Sequence, residues 1–176
     1  MNINVKRLNQ NALIPQRGSA CAAGYDLYAN IEEEVTIEPF CVAKIGTGIS
    51  IEIVDGYFGA VFARSGLATK QGLRPSNCVG VIDSDYRGEI MVSLRNDSAV
   101  TRVISPNDRI AQLVILPYQA VEFNDVEELS DTQRGEGGFG STGIGLTKEE
   151  SASWEQLSLF NKEYTTSNDT YTVTVE

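Results

Sequence analysis

The chain has 176 residues, long enough for one domain with a sizeable core, and its 41% hydrophobic and 22% charged residues are ordinary for a soluble globular protein. A formal net charge of −10 argues against nucleic acid as the main partner, because such a surface repels polyanions. The sequence contains no histidine, which excludes histidine-based triads and zinc sites that need imidazole.

Targeting signals and cysteines bear on the compartment. No apolar stretch reaches the length of a membrane span, and the start MNINVKRLNQ lacks an apolar signal core, so we expect a cytoplasmic protein without a membrane contact. Cys21, Cys41 and Cys78 are far apart and odd in number. We expect them to be reduced, buried thiols.

Period-two alternation is the main structural signal along the chain. In EIMVSLRN, Ile90, Val92 and Leu94 fall on one face of a predicted strand. Similar runs begin at Ile3, Lys44, Tyr57, Arg109 and Tyr118. Clusters such as PQRGS, RPSN and SPND separate them as turns. Many short strands with little helical periodicity predict an all-β sandwich or barrel.

Two segments depart from this alternation. RSGLATKQG, residues 64–72, is compatible with one or two helical turns. Residues 134–145 hold six glycines and form a glycine-rich arm. We therefore divide the chain into a β-domain over 1–133, the arm over 134–145, and a C-terminal extension over 146–176.

The extension has a different character from the β-domain. Thr147 and Glu150 fit a capping box, and an apolar stripe from Trp154 to Tyr164 predicts an amphipathic helix. The final TYTVTVE alternates like a strand but is polar, which fits an edge strand or a disordered end.

The arm, RGEGGFGSTG, formally matches the dinucleotide fingerprint G-x-G-x-x-G. No strand-to-helix transition surrounds it and no helix starts inside it, so we reject that interpretation. An arginine, backbone N–H groups free of side chains, and the hydroxyls of Ser141 and Thr142 are the parts of an anion-binding cradle. A flexible linker to the extension explains the same composition.

The segment NCVGVIDSDYRGEI, residues 77–90, predicts a β-hairpin with Asp83, Asp85 and Tyr86 near its tip. Asp-Ser-Asp is good turn chemistry, which explains these residues without any function. Alternatively, Asp83 directly follows an apolar run, and a carboxylate in that position is suited to act as a general base.

Three further segments carry polar residues in unusual places. Arg64 and Ser65 open the predicted helical turn, which makes either an anion site or a capped surface turn. Asp26 lies inside the apolar strand AGYDLYA, where aspartate is disfavoured, so it marks a metal-linked residue or a strand bend. Arg109 and Gln112 in DRIAQLVIL either border the core or line a site.

Taken together, the five segments resemble the five motifs of the all-β, homotrimeric dUTP pyrophosphatases (dUTPases). The matches are AGYDLYA, ARSGLATKQG, NCVGVIDSDYRGEI, DRIAQLVILP and RGEGGFGSTG, and the resemblance runs from about Ile3 to Gly143. It implies a jelly-roll-like subunit and a homotrimer whose three active sites are each built from all three chains. It also implies Mg²⁺-dependent cleavage of dUTP to dUMP and pyrophosphate.

The resemblance assigns the chemical roles. Asp83 would activate the water that attacks the α-phosphorus, and Asp26 would hold the Mg²⁺ ion through water, as suits a metal that keeps its hydration shell. The phosphate oxygens would be bound by Arg64, Ser65, Gly66 and Gln112.

It also implies how the nucleoside is held. Tyr86 would pack under the deoxyribose and leave no room for a 2′-hydroxyl. The rest of the nucleoside pocket would be lined by Asn77, Val81, Ile82 and Met91. From the arm, the resemblance implies that Arg134 reaches the γ-phosphate, that Phe139 stacks on uracil, and that the phosphates are enclosed by Gly140, Ser141 and Thr142.

The extension is a departure from this family, whose members commonly end soon after the arm. Residues 146–176 carry six acidic and two basic residues. They could pack on the trimer, bind a protein partner or be disordered.

Two other functions compete with dUTP cleavage. A dCTP deaminase would share the fold but would need a catalytic glutamate beside the base. A regulatory protein would keep the same fold and act through residues 146–176.

Overall fold

The computed structural model describes residues 1–138. The chain divides into two compact units, Met1–Phe123 and Asn124–Glu176. The predicted roles of Phe139, Gly140, Ser141 and Thr142 lie outside the described residues, as do the helix and the strand predicted within 146–176.

The first unit is built from twelve short strands and one helix. The strands are β1 (Asn4–Arg7), β2 (Gln16–Arg17), β3 (Tyr25–Tyr28), β4 (Val35–Ile37), β5 (Val42–Gly46), β6 (Ile49–Glu52), β7 (Tyr57–Phe62), β8 (Leu73–Pro75), β9 (Gly80–Ile82), β10 (Met91–Asn96), β11 (Arg102–Ile104) and β12 (Arg109–Pro117). The helix is α1 (Ser65–Gln71).

All strand pairings within the described residues are antiparallel. The largest sheet has the order β2-β3-β12-β7-β9, and a second has the order β5-β10-β8. Two further pairs, β1-β6 and β11-β4, complete the set. The predicted all-β, jelly-roll-like fold with one short helix is confirmed.

Alternating apolar residues form the core, as predicted for β10. Ile90, Val92 and Leu94 are at most 2% exposed, whereas Met91 is 39% exposed. Their burial follows from the pleat, because successive side chains of a strand point to opposite faces. Along the part of the chain that the structure describes, no helix is long and apolar enough to cross a membrane.

Residues 77–90 do not form the predicted hairpin. Strand β9 pairs with β7, whereas β10 pairs with β5 and β8, so the two strands belong to different sheets. Ile90 explains the divergence: its N–H donates to the Ile49 carbonyl at 2.9 Å, and its own carbonyl accepts from Thr47. The connection after Asp83 therefore crosses between sheets.

Two other expectations were also wrong. The run from Tyr118 to Phe123 is not a strand, because β12 already lies between β3 and β7 and the chain leaves the sheet at Pro117. Phe123 is accordingly 94% exposed. The three cysteines are free, as predicted, but exposed and not buried. Each lies in a turn or loop and not on the inner face of a strand.

Candidate active site

Four polar side chains lie together at one end of the five-stranded sheet, those of Asp26, Arg64, Arg109 and Gln112. Asp26 on β3 lies opposite Gln112 on β12, and Gln112 lies opposite Phe62 at the end of β7. Arg64 follows β7 by two residues and directly precedes α1. The adjacent ends of three strands thus bring the first, second and fourth sequence motifs together.

Asp26 holds two arginines in this cluster. Its Oδ1 lies 2.8 Å from Nε of Arg64, and its Oδ2 lies 3.3 Å from Nη1 of Arg109. The Asp26 side chain is 13% exposed, while that of Arg109 is 51% exposed. Two cations against one carboxylate leave a local excess of positive charge in a chain of net charge −10. Such a cluster attracts small anions.

A β-bulge brings Arg109 into the cluster. The register between β12 and β3 shifts between Arg109 and Ala111, so that Arg109 lies opposite Tyr28 while Gln112 lies opposite Asp26. Without the extra residue, alternation would place Arg109 on the core face together with Ala111. The bulge turns it to the face that carries Asp26. Arg109 is therefore a site residue that the sequence pattern left undecided.

Gln112 and the first turn of α1 lie beside Arg64. The Gln112 side-chain amide donates to the Ala63 carbonyl at 2.8 Å, which ties β12 to the residue before Arg64. Ser65 and Gly66 form the first turn of α1 and are exposed. The first N–H groups of a helix lack partners within the helix, so they add donors next to the arginine.

Gly24 leaves the room in which Gln112 lies. A Cβ at Gly24 would meet the Gln112 side chain, with its Cδ only 3.2 Å away. The small residue is needed for this close approach, not for an unusual backbone conformation.

Asp83 is exposed and begins a turn directly after β9. The Tyr86 N–H donates to the Asp83 carbonyl at 3.2 Å, which closes the turn. Tyr86 is 45% exposed and Val81 is 61% exposed. Ile82 packs against the core.

Two further residues of the predicted nucleoside pocket, Asn77 and Met91, are exposed. Asn77 is exposed and precedes β9, with its Nδ2 3.6 Å from the position that a Cβ on Gly80 would take. Met91 opens β10 and is exposed.

Within one chain the structure does not bring Asp83 to the arginine cluster. Strand register places Ile82 on β9 opposite Gly59 on β7, so Asp83 follows near Phe58. Asp26 lies opposite Gln112, which in turn lies opposite Phe62, four residues further along β7. Four rows along β7 correspond to about 13 Å at 3.3 Å per residue. The turn that carries Asp83 thus lies toward the opposite end of the sheet.

The arm is described only as far as residue 138. Within the second unit, Nε of Arg134 donates to the Gly137 carbonyl at 2.8 Å, and the Gly135 N–H donates to Thr132. Gly135 has a φ of +50°, a left-handed conformation that glycine adopts readily. Arg134 is exposed at this turn.

The fold and the cluster define a class of protein: an all-β domain with an arginine-rich anion site at the end of its largest sheet. Comparison with known proteins identifies the family. The dUTPase family model matches residues 10–143. The chain belongs to the dUTPase family.

Individual relatives agree with this assignment. The chain is 52% identical over 132 residues to a deoxyuridine 5′-triphosphate nucleotidohydrolase of Desulfitobacterium hafniense, covering 74% of this chain and 87% of the relative. It is 51% identical over 143 residues to the deoxyuridine 5′-triphosphate nucleotidohydrolase of Nautilia profundicola, and the match covers 81% of this chain and 99% of the relative. A mutant dUTPase of Staphylococcus bacteriophage 80alpha, solved with dUpNHpp, is similar at 32% identity, with a TM-score of 0.75 and coverage of 81% and 99%.

Proposed function

We propose that this chain is a dUTP diphosphatase, which hydrolyses dUTP to dUMP and pyrophosphate. The observation that carries the proposal is the cluster of Arg64, Arg109 and Gln112 around Asp26, in a chain about half identical to deoxyuridine 5′-triphosphate nucleotidohydrolases. Arginine forks bind phosphate oxygens well and supply the charge that a triphosphate needs. Hydrolysis lowers dUTP and yields dUMP for thymidylate synthesis.

The water that attacks the α-phosphorus is activated by Asp83. Phosphoryl chemistry depends mainly on positioning and on charge stabilisation, so it does not require histidine. The exposed Asp83 carboxylate, next to the turn closed by Tyr86, is free to accept a proton from water. Asp83 is therefore the proposed catalytic base.

The cluster fits Mg²⁺ bound mainly through the substrate. Among the described residues no group of three or more acidic, cysteine or histidine side chains is placed to hold a metal. Mg²⁺ is often held by one carboxylate, water and substrate phosphates, so Asp26 alone is a sufficient anchor through water. When bound, Mg²⁺ neutralises phosphate charge. The arginines that pair with Asp26 are also the groups that meet the phosphates, so nucleotide binding loosens their hold on the carboxylate.

Base selection is assigned to β9. Among residues 1–138 this strand is the last of its sheet and is bonded to β7 on one side only, so no described strand uses the backbone groups of its other edge. Backbone donors and acceptors at Val81 and Ile82 match uracil and leave unpaired groups against cytosine. Asn77 and Met91 are assigned to the nucleoside pocket, and Tyr86 packs under the sugar. Thymine is excluded by its methyl group.

Each complete site is shared between chains of a homotrimer. The separation of Asp83 from the arginine cluster supports this, because the two lie four residues apart along β7, about 13 Å at 3.3 Å per residue. The outer face of the sheet between them is apolar and only partly covered, and it carries Phe58, Phe62, Val81, Val114 and Leu116. Contiguous exposed apolar surface marks an interface. A second copy covers this face and supplies its own Asp83.

The arm closes the site. Arg134 reaches the γ-phosphate, Phe139 stacks on uracil, and the phosphates are enclosed by Gly140, Ser141 and Thr142. The sequence of the arm supports this role, since it combines a cation, one aromatic ring and glycines that expose backbone N–H groups.

We also assign the protein to the cytoplasm, where its three exposed free cysteines stay reduced. A protein partner for 146–176 stays a prediction.

A nucleotide panel tests the activity. Pyrophosphate release is measured with dUTP, dCTP, dTTP and UTP in the presence of Mg²⁺. Release from dUTP alone is expected, and preference for another nucleotide contradicts the proposal. Ammonia release from dCTP would indicate a deaminase instead.

Asp83→Asn tests the catalytic role. We expect a loss of about 10²–10⁴ in kcat with the fold unchanged, because the water loses its base. The matched control is Asp85→Asn, which removes the same charge from an exposed residue of the same turn. Wild-type turnover in Asp83→Asn would show that the base lies elsewhere. An equal loss in Asp85→Asn would show that the charge of the turn matters and not a base at Asp83.

A further inference from the structure

The ring of Tyr86 lies directly against the backbone of Gly88. A Cβ built on Gly88 would lie 2.6 Å from Cζ of Tyr86 and 3.0 Å from its Cε2, and it would also contact the hydroxyl oxygen. These distances are below normal carbon–carbon contact, so no side chain larger than hydrogen fits under the ring in this position. The Tyr86 hydroxyl donates to the Glu89 carbonyl at 3.0 Å.

Backbone conformation does not explain the glycine. Gly88 is not among the residues with positive φ, so other residues could adopt its backbone angles. It is also exposed, so the bulk protein core does not exclude a side chain. What Gly88 provides is a flat surface on which the Tyr86 ring rests.

The backbone around this surface is held in place from several sides. The Arg87 guanidinium donates to the Ser84 carbonyl at 2.6 Å and to the Tyr86 carbonyl at 3.0 Å. The Ser50 hydroxyl donates to the Arg87 carbonyl at 2.7 Å. The Glu89 carboxylate accepts from the Gly48 N–H at 2.8 Å. The backbone is therefore held by several hydrogen bonds, whereas the Tyr86 side chain is held by one, from its hydroxyl to the Glu89 carbonyl.

We propose that Gly88 determines selectivity for deoxyribose, because its missing side chain leaves the space in which the Tyr86 ring lies. The inference rests on the proposed function, in which Tyr86 packs under the sugar and excludes a 2′-hydroxyl. A methyl group at residue 88 displaces the ring, because the ring pivots about two side-chain torsions and is 45% exposed. Because the methyl group takes the space beneath the ring, the ring turns outward and leaves its place under the sugar. It then no longer blocks a 2′-hydroxyl, while the fold is retained.

The test compares Gly88→Ala with Gly18→Ala by measuring kcat/KM for dUTP and UTP. Gly18 is a matched control, because it has no positive φ and a Cβ there would meet nothing within 4 Å. In Gly88→Ala the preference for dUTP over UTP is expected to fall at least about tenfold. Gly18→Ala should keep the wild-type preference. A preference in Gly88→Ala within about twofold of wild type overturns the inference.

A double-mutant cycle shows whether the effect passes through the ring. Once Tyr86→Ala has removed the ring, adding Gly88→Ala should change the preference no further, since coupled residues are non-additive. An equal fall in both backgrounds overturns the inference, and so does unfolding of Gly88→Ala, because a ring free to move should relieve the clash. Affinities for the α,β-imido analogues of dUTP and UTP give the same comparison without turnover.

The activity of the wild-type protein distinguishes a failure of the proposed dUTP hydrolysis from a failure of the role given to Gly88. Wild-type protein that releases no pyrophosphate from dUTP contradicts the proposed function itself. Wild-type protein that is active and selective, together with an unchanged Gly88→Ala, contradicts only the role of Gly88.

Discussion

Asn96 illustrates how single residues hold the framework behind the site. It is 0% exposed at the end of β10, and its amide uses all of its bonding capacity. The Nδ2 group donates to the carbonyls of Ile37 at 3.0 Å and Val100 at 2.8 Å, while Oδ1 accepts from the N–H and hydroxyl of Ser98. One buried side chain thus connects β10, β4 and the loop before β11.

Replacing Asn96 with alanine should therefore be costly. We expect the free energy of unfolding to fall by about 2–4 kcal/mol, because buried carbonyl groups lose their donor and a small cavity remains. Urea unfolding followed by circular dichroism measures the change. Asn11→Ala, at an exposed turn residue, is the control and should stay within about 0.5 kcal/mol of wild type. Equal losses in the two variants would show that the buried network contributes little.

At the scale of elements, the pairing of β8 with β10 depends on a carboxylate outside both strands. Arg74 lies directly opposite Arg95, and like charges in that arrangement repel. Asp97 relieves the repulsion, since its two oxygens lie 2.7 Å from Nε of Arg95 and 2.6 Å from Nε of Arg74. The hydrogen bond from Arg95 is the main reason that the pKa of Asp97 is below its ordinary value, with Arg74 acting in the same direction.

This pairing should make stability depend on pH in a defined direction. Because the folded pKa of Asp97 is lowered, its contribution is complete above the unfolded aspartate pKa of about 3.9 and is lost as pH falls through the folded pKa. Asp97→Asn should therefore be less stable than wild type at pH 7, and the difference should shrink below about pH 4. Urea midpoints across this range measure it.

Asp55→Asn is the control for charge alone, since Asp55 is an exposed turn residue. A gap between wild type and Asp97→Asn that stayed constant down to low pH would argue against the Asp97 bridge.

At the scale of the whole molecule, the two halves of the proposed site belong to different ends of one sheet. The arginine cluster lies at the Phe62 end of β7 and Asp83 near the Phe58 end. An apolar outer face connects the two ends. In the proposed homotrimer, closed symmetric assembly would bring the Asp83 end of one copy to the arginine end of another.

Mixing two inactive variants tests this arrangement. Arg64→Ala and Asp83→Asn should each be inactive alone. Refolded together in equal amounts, they should regain activity at about one site in four, the fraction that draws an intact Arg64 and an intact Asp83 from different chains. Pyrophosphate release from dUTP measures the recovery, and light scattering reports the number of chains. An inactive mixture of correctly assembled chains would place both residues in the same chain.

Local patterns determined the class of fold and most of the candidate site. Alternation in β10 and β12, turn-forming clusters and the short helix after Arg64 depend on neighbouring residues, so sequence alone predicts them. The five motifs identified the family, which the comparison with relatives confirms. The absence of histidine left aspartate, glutamate, lysine and tyrosine as acid–base candidates.

Tertiary structure decided what local patterns cannot express. The bulge before Ala111 turns Arg109 toward Asp26, β9 and β10 separate into different sheets, and the run after Pro117 finds no pairing strand. Each of these outcomes depends on which strand edges are already occupied by distant parts of the chain. Alternation specifies which side chains share a face, but strand partners and register are settled only when the whole sheet has assembled.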